Sequence, residues 1–131
     1  MAAAYTLGSQ ERIKSKKLID TLFSGGNSRS LAVFPLRVVY VTGQRTTDEP
    51  QAQMMVSVSK RHFKRAVKRN RIKRQLRETY RLNKALLLEP LARKPQTILY
   101  LAFIWQADTL YPTAAVEESM KTLLHRIAEK L

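Results

Sequence analysis

An uninterrupted apolar run from Ile98 to Trp105 constrains the fold of this chain more than any other feature. Eight consecutive apolar residues leave no polar face for water, so a strand made of them has to be covered on both sides. The run therefore predicts a central strand of a sheet. Since 131 residues suit one domain around one core, we predict a single domain over residues 1–131, with residues 1–10 as a flexible leader and structure beginning near Arg12.

A first helix is predicted shortly after the leader. Ser15 can cap its beginning, and Gly25 and Gly26 can stop it, because glycine readily adopts the conformations that end helices. Helical spacing places its apolar residues on one face. They are Leu18, Ile19, Leu22 and Phe23.

Three strands are predicted between this helix and the middle of the chain. Residues 31–41 are β-branched, aromatic and largely apolar, but Pro35 cannot donate to a sheet ladder, so this stretch predicts two strands separated by a bend. The polar, turn-rich residues 42–53 predict an exposed loop. The alternation of apolar and polar side chains over residues 54–59 then predicts a half-buried strand.

The second half of the chain predicts a long helix, a polar break over residues 90–95, the central strand and a last helix. Thr113 is available as the cap of that last helix. Its apolar residues repeat at helical spacing, and they are Val116, Met120, Leu123, Leu124, Ile127 and Leu131. The order α-β-β-β-α-β-α predicts an α+β fold, a two-layer sandwich of helices on a sheet.

The charge of the chain limits its function. It has 24 Lys and Arg against 10 Asp and Glu, a formal net charge of +14, which favours a polyanionic partner such as nucleic acid or an anionic membrane surface. The absence of cysteine excludes disulfides, thiolate nucleophiles and Cys-based zinc sites. Because no apolar run is long enough to span a membrane and no secretory signal is evident, we expect a cytoplasmic protein.

The positive charge is concentrated between Lys60 and Arg81, where 11 of 22 residues are Lys or Arg and Glu78 is the only acid. A helix that was merely solvated would be expected to carry Glu at i, i+4 positions, so this composition favours binding to an external anion. Arginine is suited to phosphate and to stacking on bases, and the Asn70 amide can bind a 2′-hydroxyl, a base edge or a hydrated metal ion, or can serve only as a turn or cap.

The same segment is amphipathic. At 100° per residue, one helical stripe carries Asn70, Arg74, Arg77 and Arg81, and the opposite stripe carries Ile72, Leu76, Tyr80, Asn83 and Leu87. Phe63 and Val67 project toward the basic side, which indicates that the helix begins late or bends there. The pattern predicts one face that packs and one that meets a ligand.

Catalytic residues are not evident in the sequence. No carboxylate pair, Ser-His-Asp set or His-rich cluster is present, and His62 and His125 are far apart. Glu117 and Glu118 point about 100° apart on a helix and favour its N-terminus. We therefore predict a binding protein with no catalytic or metal-ligating residue of its own.

One family has a closely similar signature. The segments that carry the similarity are Val56-Ser57-Val58-Ser59-Lys60, then Ala66-Val67-Lys68-Arg69-Asn70-Arg71-Ile72-Lys73-Arg74, then Arg77-Glu78. A strand that leads through Ser-Val-Ser-Lys into this helix resembles the bacterial ribonuclease P protein component. Arg12-Ile13-Lys14 and the pair Leu22-Phe23 are similar to the first helix of that family. The loop Lys60–Arg65 departs from the family in being one residue longer and lacking its usual glycine. The resemblance implies a left-handed β-α-β crossover, an exception to the usual right-handed rule.

The resemblance also implies a function. Family members bind a large catalytic RNA, and the complex removes the 5′ leader of precursor tRNA by metal-assisted hydrolysis. We expect the active site in the RNA, magnesium in the holoenzyme, no cofactor on the protein alone, and no membrane partner. The residues expected to bind RNA are Lys60, Arg61, Lys64, Arg65, Lys68, Arg69, Asn70, Arg71, Lys73, Arg74, Arg77 and Arg81.

A cleft between the first helix and the sheet is expected, by the same resemblance, to hold the single-stranded leader. Such a cleft needs positive charge and exposed aromatic faces. Its candidates are Lys14, Ile19, Phe23, Phe34 and Tyr40, and core packing is an equally good interpretation of each aromatic residue. Two other classes remain open at this point: a ribosomal-type or DNA-binding basic protein, and a basic amphipathic helix on a membrane surface, which would need a broader apolar face.

Overall fold

The structure, a computed structural model, describes residues 7–13, 16–24 and 26–131. Predictions made for Lys14, Ser15 and Gly25 fall outside the described residues. The elements are α1 (Lys16–Ser24), β1 (Arg29–Val33), β2 (Leu36–Gln44), β3 (Ala52–Ser57), α2 (Ala66–Asn83), α3 (Ala85–Ala92), β4 (Thr97–Trp105) and α4 (Thr113–Lys130).

The four strands form one mixed sheet in the order β1-β2-β4-β3. The pairs β1–β2 and β2–β4 are antiparallel, and β3–β4 is parallel. The apolar run thus forms an interior strand, as predicted. The helices α2 and α3 connect the parallel neighbours β3 and β4 as a β-α-β crossover; its left-handed sense stays a prediction from the resemblance.

Alternation along β4 divides the apolar residues between the two faces of the sheet. Leu101 and Phe103 enter the main core with residues of α2, α3 and α4, and both are fully buried. Ala102 and Tyr100 belong to a smaller cluster that α1 covers through Leu18 and Ile19. The α+β sandwich is confirmed for α2 to α4 on the sheet, and α1 adds a partial layer on the other face.

The region after α2 differs from the predicted polar break. The helix α3 continues to Ala92 and contains Pro90, while Leu87 and Leu91 are fully buried against the core. Proline removes one helical hydrogen bond, and the burial of two leucines, about 1.5–3 kcal/mol each, outweighs that loss in a short helix. The cap of α4 differs as well, because Pro112 occupies the N-cap position and Thr113 is the first helical residue.

The chain is ordered earlier than predicted. Leu7 packs against the main core, and Ser9–Glu11 form a 3-10 turn in which the Gly8 amide donates to Glu11 Oε2 at 2.7 Å. The segment then runs beside β3, where the Ile13 amide donates to the Met54 carbonyl at 2.9 Å. Residues 7–10 are therefore part of the fold rather than of a leader.

Candidate RNA interface

The basic segment begins as a turn that follows β3. The carbonyl of Ser59 accepts hydrogen bonds from the amides of His62 at 3.1 Å and Phe63 at 3.3 Å. Phe63 is buried and anchors the turn, and α2 begins only at Ala66. This late start explains why Phe63 did not fit the helical pattern. The four basic residues predicted here are exposed, and they are Lys60, Arg61, Lys64 and Arg65.

A second contact holds this turn from the side. The Nδ1 atom of His62 lies 2.5 Å from Oδ1 of Asp108, which follows β4. The pair joins the β3–α2 turn to the β4–α4 loop, across 46 residues of sequence. His62 is therefore a residue that positions the basic turn.

Arg69 combines two roles. Its Nη1 atom donates to the carbonyls of Phe63 and Lys64, each at 2.8 Å, and thereby closes the turn onto the first turn of α2. The sequence predicted RNA binding for this arginine, and the structure shows that at least one of its nitrogens is occupied by the backbone. Only the remaining donors of the guanidinium can face a ligand.

Replacing Arg69 by alanine should therefore lower the free energy of unfolding by about 1–2 kcal/mol, because two charge-assisted hydrogen bonds are lost at a partly exposed site. Chemical denaturation checks this. Arg71, two residues further along α2, is exposed, and Arg71→Ala is the matched control that should leave the unfolding free energy within about 0.5 kcal/mol of wild type. Equal stability of the two variants would contradict a structural role for Arg69.

The helix α2 has the two predicted faces. Ile72, Leu76 and Tyr80 are fully buried in the main core, as the sequence pattern indicated. Two side-chain amides on the same side are bonded: Gln75 Nε2 donates to the Tyr111 carbonyl at 3.1 Å, and Asn83 Nδ2 donates to Glu117 Oε2 at 2.9 Å. The opposite side meets solvent. Among the predicted residues there, Lys68, Asn70, Arg71 and Arg74 are exposed, and Lys73, Arg77 and Arg81 are partly exposed.

Arg81 departs from the prediction of an unpaired basic face. It makes a bidentate ion pair with Glu78 one turn earlier, with its Nε 3.1 Å from Oε2. The bond from Arg81 lowers the pKa of Glu78, and the same bond raises the pKa of Arg81. The charge of Arg81 is thus balanced within the protein, and its expected contribution to RNA binding is the smallest of the stripe.

Arg12 was not predicted as a site residue, and it joins the stripe from another element. It lines a groove of about 570 Å³ together with Arg74 and Arg77. Partial burial lowers the pKa of Arg77, and the nearby charge of Arg12 lowers it further. An anion bound between two guanidinium groups beside a groove reduces their mutual repulsion. The sequence did not predict that Arg12 lies in this groove, because the parallel bridge of Arg12 to Met54 brings it there.

The face of the sheet under α1 contains only part of the predicted leader cleft. Ile19 packs there, beside Val41 and Met55. The prediction for Tyr40 was wrong, because this side chain is only 4% exposed and belongs to the main core on the other face. Lys14 lies outside the described residues, and of Phe23 only the position within α1 is described.

The prediction that Phe34 lies in the leader cleft was also wrong. Phe34 lies in the turn between β1 and β2, where its ring is 63% exposed and meets the Tyr111 ring edge-on. Its carbonyl accepts a hydrogen bond from Ser119 Oγ of α4 at 3.4 Å. Phe34 is therefore on the α4 side of the molecule, away from α1.

Tyr100 is the aromatic residue that the sequence analysis missed on the α1 face. It belongs to the same cluster as Ile19 and is partly exposed. Burial raises the pKa of Tyr100, and the neighbouring carboxylate of Glu49 raises it further. Hydrogen bonds from Thr47 and Gln53 lower the pKa of Glu49. The alternation along β4 could have identified Tyr100, because it lies on the opposite face from Leu101 and Phe103.

Two further observations concern the described part of the chain. Within residues 7–13, 16–24 and 26–131, no group of three or more His, Cys, Asp or Glu side chains is arranged to hold a metal ion. Among the same residues, no helix is both long enough and apolar enough to cross a membrane.

A helix that packs on a mixed sheet with one face and presents arginines on the other is typical of an α+β protein that binds nucleic acid. Comparison with known proteins specifies the family. The sequence model of the family described as Ribonuclease P matches residues 7–128. The chain is 42% identical over 126 residues to the ribonuclease P protein component of Porphyromonas gingivalis, which covers 96% of this chain and 89% of that protein.

Solved structures show the same fold. The RNase P protein of Thermotoga maritima superposes with a TM-score of 0.66 at 21% identity, over 88% of this chain and 96% of that one. A Staphylococcus aureus RNase P protein, solved as a mutant with defective mRNA degradation activity, gives a TM-score of 0.67 at 23% identity, over 91% of this chain and 88% of that one. This chain belongs to the ribonuclease P protein family.

Proposed function

We propose that this chain is the cytoplasmic protein subunit of a ribonuclease P, which binds a catalytic RNA and the 5′ leader of precursor tRNA while the RNA carries out the cleavage. The observation that carries the proposal is the row of arginines on α2. Arg71, Arg74 and Arg77 face solvent or the groove, and no carboxylate of the described residues lies within ion-pair distance of them. Unpaired guanidinium groups in a row fit the phosphates of a folded RNA.

The proposed division of labour follows from the geometry of the two faces. The basic turn and α2 project from one edge of the molecule and suit a rigid, folded RNA, whose phosphates are fixed in space. The face under α1 is apolar, with Ile19, Met55 and Tyr100, and Arg12 lies beside it at the edge of β3. An apolar face with an aromatic ring and a flanking cation suits unpaired nucleotides of varied sequence.

Magnesium enters the proposal as a partner of the RNA. The donor sets that magnesium prefers are carboxylates, phosphates and water, and the described residues offer no cluster of carboxylates for it. We propose that the metal ions of the reaction are bound by the RNA. The contribution of the protein is then to neutralise phosphates, so that less magnesium is needed to fold the RNA and hold the substrate.

Reconstitution with a bacterial ribonuclease P RNA and a precursor tRNA tests the proposal. At low magnesium, the protein should restore leader removal, because its arginines replace part of the metal's charge neutralisation. Cleavage is read as the rate of 5′-leader release over a magnesium titration. The same rate with and without the chain at every magnesium concentration would overturn the proposal.

A competition experiment separates this function from a DNA-binding one. Duplex DNA and the catalytic RNA, at matched phosphate concentration and salt, compete for the labelled chain. We expect the RNA to be preferred, because Asn70 and the arginines around it can contact 2′-hydroxyls that DNA lacks. Preference for the duplex would favour the ribosomal-type or DNA-binding alternative.

A further inference from the structure

We propose that Phe34 and Tyr111 form a second base-stacking site, separate from the face under α1, which receives one unpaired base of the bound RNA. The proposal rests on the RNA-binding function above and adds a contact to it. Phe34 is one of three large apolar side chains that are exposed among the described residues, and it is the only aromatic one of the three. Because the ring is 63% exposed, most of its apolar surface is available to a stacking partner.

The ring is held in place by its neighbours. Phe34 meets Tyr111 edge-on, with ring centroids 6.2 Å apart and planes at 74°. Tyr111 in turn meets Trp105 edge-on at 5.6 Å, and Trp105 is buried in the main core. An edge-on contact joins the rim of one ring to one face of the other, so at least one face of the Phe34 ring is left for another aromatic group. Such a fixed ring loses little conformational entropy on binding a base.

The backbone around Phe34 is also fixed. Its carbonyl accepts from Ser119 of α4, and the carbonyl of the next residue, Pro35, accepts from the Gln106 amide at 2.9 Å. The β1–β2 turn is thus tied both to α4 and to the loop that follows β4. The exposed ring therefore belongs to a rigid part of the surface.

The surroundings favour RNA over protein as the partner. Tyr111 is three residues from Asp108, so their Cα atoms lie within about 11 Å of each other. Asp108 is bonded to His62, which joins the basic turn, with its exposed cations Lys60 and Arg61, to the β4–α4 loop that carries Tyr111. An RNA whose phosphates contact this turn has its next nucleotides within reach of Phe34. A ring beside cations matches the stacking sites of proteins that bind single strands.

Fluorescence of 2-aminopurine tests the site. The probe is a single-stranded RNA of twelve nucleotides with 2-aminopurine at one position, titrated with the full-length chain at low salt. In wild type, stacking on Phe34 should quench the probe. Phe34→Ala should abolish most of this quenching and weaken binding by about 5- to 50-fold, whereas Phe34→Tyr should retain both.

Leu82→Ala is the matched control. Leu82 is 41% exposed, has no ring and is not among the residues expected to bind RNA, so its replacement should leave quenching and affinity unchanged. A photocross-link from 5-iodouridine in the same RNA to a peptide containing Phe34 or Tyr111 would locate the contact directly. The inference would be overturned if Phe34→Ala kept the quenching and affinity of wild type. It would also be overturned if the chain self-associated and Phe34→Ala removed that self-association without changing RNA binding.

These results are separate from those that bear on the proposed function. Phe34-dependent quenching in a chain that does not support leader removal would contradict the proposed function and leave the stacking site standing. If the reconstituted enzyme removes the leader but quenching is the same in wild type and Phe34→Ala, only the stacking site is contradicted.

Discussion

The double variant Arg74→Ala and Arg77→Ala should weaken binding to the catalytic RNA by about 100-fold at moderate salt, the largest binding defect expected of any two replacements in this chain. Both arginines line the groove with Arg12, and neither is paired with a carboxylate of the described residues. Their loss removes two phosphate contacts and leaves Arg12 without its neighbours. Filter binding of the RNA over a salt series measures the effect.

The salt dependence distinguishes direct contacts from a general loss of charge. Each phosphate contact releases counterions, so two lost contacts should reduce the slope of log affinity against log salt by about two. The double variant Arg93→Ala and Arg126→Ala carries the same change in net charge at exposed positions after α3 and on α4. It should keep the wild-type slope. Equal losses in both double variants would mean that net charge, rather than the groove, determines affinity.

The stripe on α2 was predictable from the sequence because a helix repeats its geometry at every turn. Ile72, Leu76 and Tyr80 are buried as the 100° spacing indicated, and the long apolar run became the interior strand β4. Both predictions depend only on local periodicity and on the cost of exposing apolar surface. Neither prediction requires knowledge of how the other elements are arranged.

The aromatic residues were harder to place, because the two faces of a sheet are assigned by strand register and by what covers each face. Tyr40 and Tyr100 both look like candidate stacking residues in sequence, and only the register shows that they lie on opposite faces. Phe34 lies in a turn, where periodicity carries no information about direction. The resemblance to a family could suggest an aromatic cleft but could not say which ring belongs to it.

The roles of Arg69 and Arg81 were not predictable for a different reason. Both side chains are long, and both find partners close by: the backbone of the preceding turn for Arg69 and Glu78 for Arg81. A count of basic residues treats all eleven as equally available. Arg71, Arg74 and Arg77 have no carboxylate partner among the described residues, so we expect these three at the RNA, together with Arg12 from outside the segment.

Arg12 reaches the groove only because the segment before α1 is fixed, and a partly buried ion pair fixes it. Lys84, at the junction of α2 and α3, is 3% exposed, and its Nζ lies 2.7 Å from Oε1 of Glu11. The other oxygen of Glu11 accepts from the Gly8 amide. The buried Tyr80 ring packs nearby, where burial raises the pKa of its hydroxyl and the charge of Glu11 raises it further.

Removing one partner of this pair should therefore cost more stability than any surface replacement. Lys84→Met keeps the volume of the side chain but leaves the Glu11 carboxylate largely buried without its cation, which is expected to lower the free energy of unfolding by about 3–5 kcal/mol. Thermal unfolding should show this as a drop in Tm on the order of 10 °C. The double variant Lys84→Met with Glu11→Gln removes the unpaired charge and should recover at least half of the loss.

The same variants connect stability to RNA binding. If the ion pair holds the segment of residues 7–13 in place, Lys84→Met should also weaken RNA binding at a temperature where the chain is still folded, because Arg12 then leaves the groove. The expected loss is that of one phosphate contact, about 10-fold, with a salt slope reduced by about one. Arg12→Ala should reproduce this binding defect without the loss of stability, and Arg12→Ala combined with Lys84→Met should bind no worse than either alone. Additive losses in the combined variant would show that Lys84 acts on the RNA by another route than through Arg12.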